Sequence, residues 1–139
     1  MSDQILVTGA TGFAGKWLAD HLLAQGQKVV GTIYEGTPPE DFPIDRIPLH
    51  PCDLGDMKAI RAIISAIDPR EIYHVAAQAV VATAWQDPWM TFRVNAMGTV
   101  NLLEACRCHG NKSRILLVSS ASVYGLPPAN GKLKEDMPL

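Results

Sequence analysis

What the 139-residue chain lacks narrows its class before any motif is read. No stretch reaches the roughly eighteen consecutive apolar residues of a membrane span. Met1-Ser2-Asp3-Gln4 lacks the cationic start of a secretory signal, so a soluble, unexported protein with no membrane partner is expected. Positive charge is not in excess. The 12 Lys and Arg face 14 Asp and Glu, and a formal net charge of -2 argues against a nucleic-acid partner held by bulk electrostatics. Cysteine is scarce: Cys52, Cys106 and Cys108 are odd in number and form no C-x-x-C, which excludes a disulfide framework and fits a reduced, cytoplasmic setting. Cys106, Cys108 and His109 stand too close together for a metal site of ordinary ligand spacing; they read as helix-end packing, and no metal is expected. Of 10 prolines, eight fall in Pro38 to Pro51 or Pro127 to Pro138, and the C-terminal end reads as a loop in search of a continuation. The length suits one domain, residues 1–139.

What is present alternates. Gln4 to Thr8 is short and apolar almost throughout, as a strand buried on both faces reads. Gly12 to Gln25 carries Phe13, Ala14, Trp17, Leu18 and Leu22 at helical spacing and stops at Gly26. Lys28 to Ile33 is a second strand, Gly36 to Pro43 a loop, and Ile47 to Cys52 a third strand whose two prolines suit an edge. Met57, Ile60, Ile63, Ile64 and Ile67 mark a second helix closed by Asp68-Pro69. Ile72 to Ala76 and Ile115 to Ser119 are the remaining strands. Between them a long helix is expected from Pro88 to Arg107, with Trp89, Phe92, Ala96, Val100 and Leu103 on one stripe. Strands and helices in this order predict an α/β fold with right-handed crossovers and a doubly wound parallel sheet.

The first strand runs into Gly9-Ala10-Thr11-Gly12-Phe13-Ala14-Gly15 immediately before a helix, the context that turns a glycine pattern into a dinucleotide site. Gly9 permits the sharp turn, Gly12 the approach of backbone amides to a pyrophosphate, and Gly15 the close packing of helix on sheet. Glu35, just past the second strand, either reaches the ribose and favours NAD or is a solvated loop acid, so NAD and NADP both stay open. Asp53, with Leu54, follows the third strand. It can accept from an adenine amino group, and Asp53 or Asp56 can equally cap the next helix. Ala76, Ala77 and Gln78, after the fourth strand, leave room for a cofactor close to the backbone. His74 before them reads as a packed strand-end residue rather than a base. The hydroxyls of Ser119, Ser120 and Ser122 at the end of the last strand either meet a substrate oxygen or start a loop.

Taken together these segments resemble the extended short-chain dehydrogenase/reductase family, the NAD-dependent epimerases and dehydratases that act on sugar nucleotides. The match also draws on Asp87-Pro88, on Asn95 with Gly98-Thr99, on Asn101 to Ala105, on Val123-Tyr124-Gly125 and on Glu135 to Pro138. Within the family, Ala76 to Gln78, Ala84-Trp85, Thr91-Phe92 and the run Leu116 to Ala121 look most like the GDP-4-keto-6-deoxy-mannose reductases. The resemblance implies a Rossmann fold. It implies that Gly9, Thr11, Gly12, Phe13, Ala14 and Gly15 surround the pyrophosphate, that Asp53 and Leu54 meet adenine, and that Ala76, Ala77, Gln78, Asn95 and Ser119 border the cofactor. It makes Ser120 the catalytic hydroxyl that orients the sugar oxygen.

Tyr124 does not match the family's catalytic tyrosine, and the Y-x-x-x-K that carries it is absent from the 139 residues, as is the substrate-binding C-terminal region. Ala121 and Ser122 stand where the family's dehydratases commonly place proton-handling residues, which disfavours elimination of water. The resemblance therefore implies an NAD(P)-dependent reductase of the 4-keto group of a nucleotide 4-keto-6-deoxy-sugar, inactive as these residues alone. The alternatives are a nucleotide-sugar 4-epimerase and a non-catalytic NAD(P)-binding sensor. A homodimer through the helices starting at Pro88 and Met57 is expected from the same resemblance.

Overall fold

The computed structural model describes residues 2–34, 46–125 and 131–138. Five strands, β1 (Gln4–Thr8), β2 (Lys28–Ile33), β3 (Leu49–Pro51), β4 (Glu71–His74) and β5 (Arg114–Leu117), form one parallel sheet in the order β3-β2-β1-β4-β5. Leu6 of β1 is in register with Val30 on one side and Ile72 on the other. The chain leaves β1 toward β2 and β3, then returns across β1 to β4 and β5. That reversal creates a crevice at the carboxyl ends of β1 and β4, where open parallel sheets receive ligands.

Strand alternation splits the core into two layers. Ile5, Val7 and Val29 point to the face covered by α1 (Phe13–Ala24), where Ala19 and Leu22 meet them. Leu6, Val30 and Ile72 point to the other face, covered by α2 (Met57–Ile67) and α5 (Gly98–His109) through Ile60, Ile63, Ile64, Ile67, Leu102 and Ala105. The sheet is Rossmann-like, as the alternating pattern predicts.

Several expectations need correction. The helix expected from Pro88 to Arg107 is divided into α4 (Pro88–Phe92), a π-helical turn (Arg93–Met97) and α5. It is preceded by a short helix that periodicity did not reveal, α3 (Val81–Gln86). The apolar stripe on that long helix does not face the core: Trp89 is 81% exposed, and Phe92, Val100 and Leu103 are exposed as well. What packs inward is the smaller set Gly98, Asn101, Leu102, Ala105 and Cys106, because α5 lies close against α2 and the sheet. On α1, likewise, Phe13 and Trp17 face outward while Gly15, Ala19 and Leu22 are buried. Cys106 is packed at its helix end as expected, but Cys108 is exposed. Strand β3 is shorter than predicted, and the expected loop from Gly36 to Pro43 lies outside the described residues. Among the described residues no helix is long and apolar enough to cross a membrane.

Candidate functional site

The turn after β1 is held open by two glycines. Gly9 has φ 67°, and a Cβ there would lie 2.7 Å from Ala76 Cα, so the β1 and β4 loops touch backbone to backbone. A Cβ on Gly15 would overlap the carbonyl oxygen of Gly9, which is how α1 comes to start directly against the loop. The loop is pinned to β2 by Gly9 N–H donating to Thr32 Oγ1 at 3.2 Å and Ala10 N–H donating to Thr32 O at 3.1 Å. Helix α1 begins at Gly12 with no side-chain cap and no acid in its first turn. Its leading amides and its positive dipole end are therefore available to an anion.

A cleft of about 620 Å³ opens from this turn, a size suited to a small-molecule ligand. Gly9, Thr11, Gly12, Asp53, Leu54, Ala76, Ala77 and Gln78 all line it, so the structure gathers residues from three separate segments into one place. Phe13 and Ala14 are exposed at the start of α1, and Gly15 lies beneath the loop. Glu35 falls outside the described residues. Ser119 and Ser120 are exposed beyond β5 and are not part of the cleft lining. Ser120 Oγ accepts from Ser122 N–H at 3.2 Å at the head of the 3-10 turn Ala121–Tyr124, which leaves its own O–H free to donate.

At the β2–β3 end, Asp53 Oδ1 accepts from Gly55 N–H at 2.8 Å and Oδ2 is paired with the Arg93 guanidinium. The guanidinium rests on Gly55, where a Cβ would stand 2.6 Å from its Cζ. The cap of α2 is Asp56, accepting from Lys58 N–H at 2.8 Å, so Asp53 is not needed there. The Cys52 thiol beside Asp53 is pushed up to about 11 by burial and by the Asp53 and Asp56 carboxylates, which keeps it protonated and inert at neutral pH.

The opposite wall is held by Asn95. Its Oδ1 accepts from Gln78 N–H at 2.8 Å and its Nδ2 donates to Gln78 O at 2.9 Å, gripping one backbone unit from both sides. Gln78 Nε2 donates to Val80 O at 2.9 Å, while Gln78 Oε1 is buried without a partner. His74 stands between Thr8 Oγ1 (2.8 Å from Nδ1) and Thr99 Oγ1 (3.1 Å from Nε2). Burial lowers its pKa below the ordinary histidine value, in keeping with a packed residue.

Thr32, Tyr34, Val75, Met90, Arg93 and Val94 also line the cleft and were not anticipated. Arg93 alone left a trace in the sequence, being the one Lys or Arg between Arg70 and Arg107. The arrangement fits a dinucleotide: uncapped amides for phosphate, apolar walls from Leu54 and Val75, and an orphaned acceptor on Gln78.

Comparison with known proteins agrees with this fold. The family model described as GDP-mannose 4,6 dehydratase matches residues 6–139. The UDP-glucose 4-epimerase of Mycolicibacterium smegmatis is 37% identical over 98% of this chain and 44% of its own length. The GDP-mannose 4,6-dehydratase of Yersinia enterocolitica is 37% identical over 88% of this chain and 37% of its own. Among solved structures, the Thermus thermophilus UDP-glucose 4-epimerase in complex with NAD superposes with a TM-score of 0.86 at 32% identity, over 97% of this chain and 43% of that one. The chain thus spans less than half the length of the relatives it matches.

Proposed function

Since the chain belongs to the GDP-mannose 4,6-dehydratase family, within the extended short-chain dehydrogenases/reductases, we propose that its whole protein is an NAD-dependent sugar-nucleotide oxidoreductase. In this reading it reduces the 4-keto group of a nucleotide 4-keto-6-deoxy-sugar. The observation that carries the reading is the joining of the uncapped α1 start, the Asp53 end and the Gln78 wall in one cleft at the reversal of strand order. The amides at the head of α1 hold the pyrophosphate, and Gly9 and Gly12 keep side chains out of its way. Asp53, fixed by Arg93 and Gly55, offers its carboxylate to the adenine amino group. When bound, the nicotinamide supplies the hydride. Ser120, with its O–H free, donates to the sugar oxygen and orients the carbonyl. The proton for that oxygen is assigned to a Tyr–Lys pair, which residues 1–139 do not contain.

The cofactor reading favours NAD, because the structural relatives at 32% and 28% identity, from Thermus thermophilus and Brucella ovis, are described as complexes with NAD. A 4-epimerase is the second reading, favoured by the UDP-glucose 4-epimerases among the relatives and requiring no change in the site. The exposed Trp89, Phe92, Val100 and Leu103 support a homodimer formed through the α4–α5 run together with α2. A monomer by light scattering of the full-length protein would overturn that assignment.

The functional test is to mix the full-length protein with NADH and a nucleotide 4-keto-6-deoxy-sugar and follow loss of the reduced cofactor. Stoichiometric oxidation supports the reductase. Interconversion of nucleotide 4-hydroxy sugars with no net change in cofactor supports the epimerase, and neither activity from a cofactor-binding protein supports the sensor. In the reductase, Ser120→Ala lowers kcat by about 10²-fold or more if its hydroxyl polarises the carbonyl.

A further inference from the structure

Gln78 is held in an unusual way. Its backbone N–H and C=O are both tied to the Asn95 side chain, its Nε2 is committed to Val80 O, and its Oε1 is left buried and unpaired on a residue that lines the cleft. A buried acceptor without a donor is uncommon in a folded protein and calls for a physical reason. Exchange of the amide's O and N does not provide one, because the oxygen would then face the Val80 carbonyl oxygen.

The support behind Asn95 has a fixed direction. At one end Ala76 N–H donates to Thr8 Oγ1 at 3.3 Å, and at the other Thr99 Oγ1 donates to Asn95 O at 2.7 Å. With its proton committed to that carbonyl, Thr99 Oγ1 can only accept from His74, so Nε2 carries the ring proton. His74 Nδ1 is then bare and accepts from the Thr8 hydroxyl. The order Ala76 N–H to Thr8, Thr8 to His74, His74 to Thr99, Thr99 to Asn95 uses each donor once. It links β1 and β4 to the π-helical turn that bears Asn95.

We propose that Gln78 is a specificity-determining contact whose Oε1 accepts a hydrogen bond from an O–H or N–H donor on the part of the ligand lying beyond the pyrophosphate, toward β4 and β5, and that Thr8, His74, Thr99 and Asn95 are the positioning residues that hold it there. To meet that donor the terminal amide turns and gives up the Nε2 bond to Val80 O, while the Asn95 grip keeps the backbone still. Two groups of a nicotinamide dinucleotide supply such a donor: the nicotinamide-side ribose hydroxyls and the carboxamide N–H. The proposal rests on the dinucleotide reading.

The test is titration of the wild-type protein, Gln78→Leu and Thr99→Val with ADP, ADP-ribose and NADH. Gln78→Leu is expected to bind ADP as the wild type does while losing roughly fivefold to tenfold in NADH affinity. An equal loss for ADP-ribose assigns the donor to the ribose, and a loss for NADH alone assigns it to the carboxamide. Thr99→Val, which leaves Gln78 intact, is expected to show the same split to a smaller degree. An unchanged NADH affinity in Gln78→Leu, or equal losses for all three ligands, overturns the proposal. Nitrogen-15 NMR of His74 reads the support directly: a neutral ring protonated on Nε2 agrees, and a ring protonated on Nδ1 contradicts it. A folded wild type that binds none of the three ligands would instead sink the dinucleotide reading, a result separate from either of these.

Discussion

Residues 4–76 and residues 80–118 carry comparable apolar side chains and treat them in opposite ways. In the first region Ile5, Leu6, Val7, Val30, Ile60, Ile64 and Ile72 are almost wholly buried, and the large apolar exceptions among the described residues, Phe13, Trp17 and Tyr34, sit at or near the site or on the outer face of α1. In the second, Trp85 and Trp89 are more than 80% exposed, and Val81, Phe92, Val100, Leu116, Leu117 and Val118 are exposed too. The difference follows from layering. Helix α1 covers one face of the sheet over β1 and β2, and α2 with α5 covers the other. Among the described residues no comparable layer covers the outward apolar side chains of β5 and of α3 to α5. Among the described residues the first region has the partners its apolar side chains need, and the second leaves most of its large ones uncovered.

Substitution at the junction of sheet and loop should produce the largest effect. Gly15→Val forces a side chain into the Gly9 carbonyl, and the expected outcome is loss of dinucleotide binding with destabilisation of about 3 kcal/mol or more, read by calorimetry and denaturant melts. Next comes the direct contrast between the regions. Ile64→Ala should cost about 2–5 kcal/mol through a buried cavity, whereas Trp89→Ala should stay within about 0.5 kcal/mol in the isolated chain. Equal costs in urea titrations would erase the distinction drawn above.

Acid sharpens the same contrast, because His74 lies inside the first region. Its folded pKa is lowered by burial, so the unfolded state takes up the proton first as pH falls. Its contribution to stability is complete above the ordinary histidine pKa near 6.5 and is lost progressively as pH falls from there through the folded value. His74→Gln should flatten that part of the stability-versus-pH curve. The smallest effect concerns the thiols. Cys52 and Cys106, both raised to about 11 by burial, should resist alkylation in the folded protein, while exposed Cys108 reacts, so mass spectrometry should find one adduct under native conditions and three in denaturant.

The legibility of the sequence divides along the same line. The alternation of strands and helices, the glycine turn and the Ile60 to Ile67 face were readable because each obeys one dominant period or one steric demand. Helix α1 and the α4–α5 run misled the hydrophobic pattern, since close packing on a sheet selects the small residues Gly15, Ala19, Gly98 and Ala105 for the inner face and leaves the large ones outside. The cleft was legible as loops at strand ends, but its cross-links were not. Neither Arg93 on Asp53 nor Asn95 on Gln78 has a sequence period, because each joins segments 40 or 17 residues apart through a turn of π-helix that no local propensity announces.

The crevice at the reversal of strand order is the proposed nicotinamide dinucleotide site. Titration of the folded protein with NADH, followed by cofactor fluorescence and repeated with Gly12→Val, tests it most directly. Saturable binding at one site per chain, removed by the substitution while the fold persists, is the expected result. A wild-type protein that is folded and shows no saturation, or a variant that binds NADH as the wild type does, would contradict it.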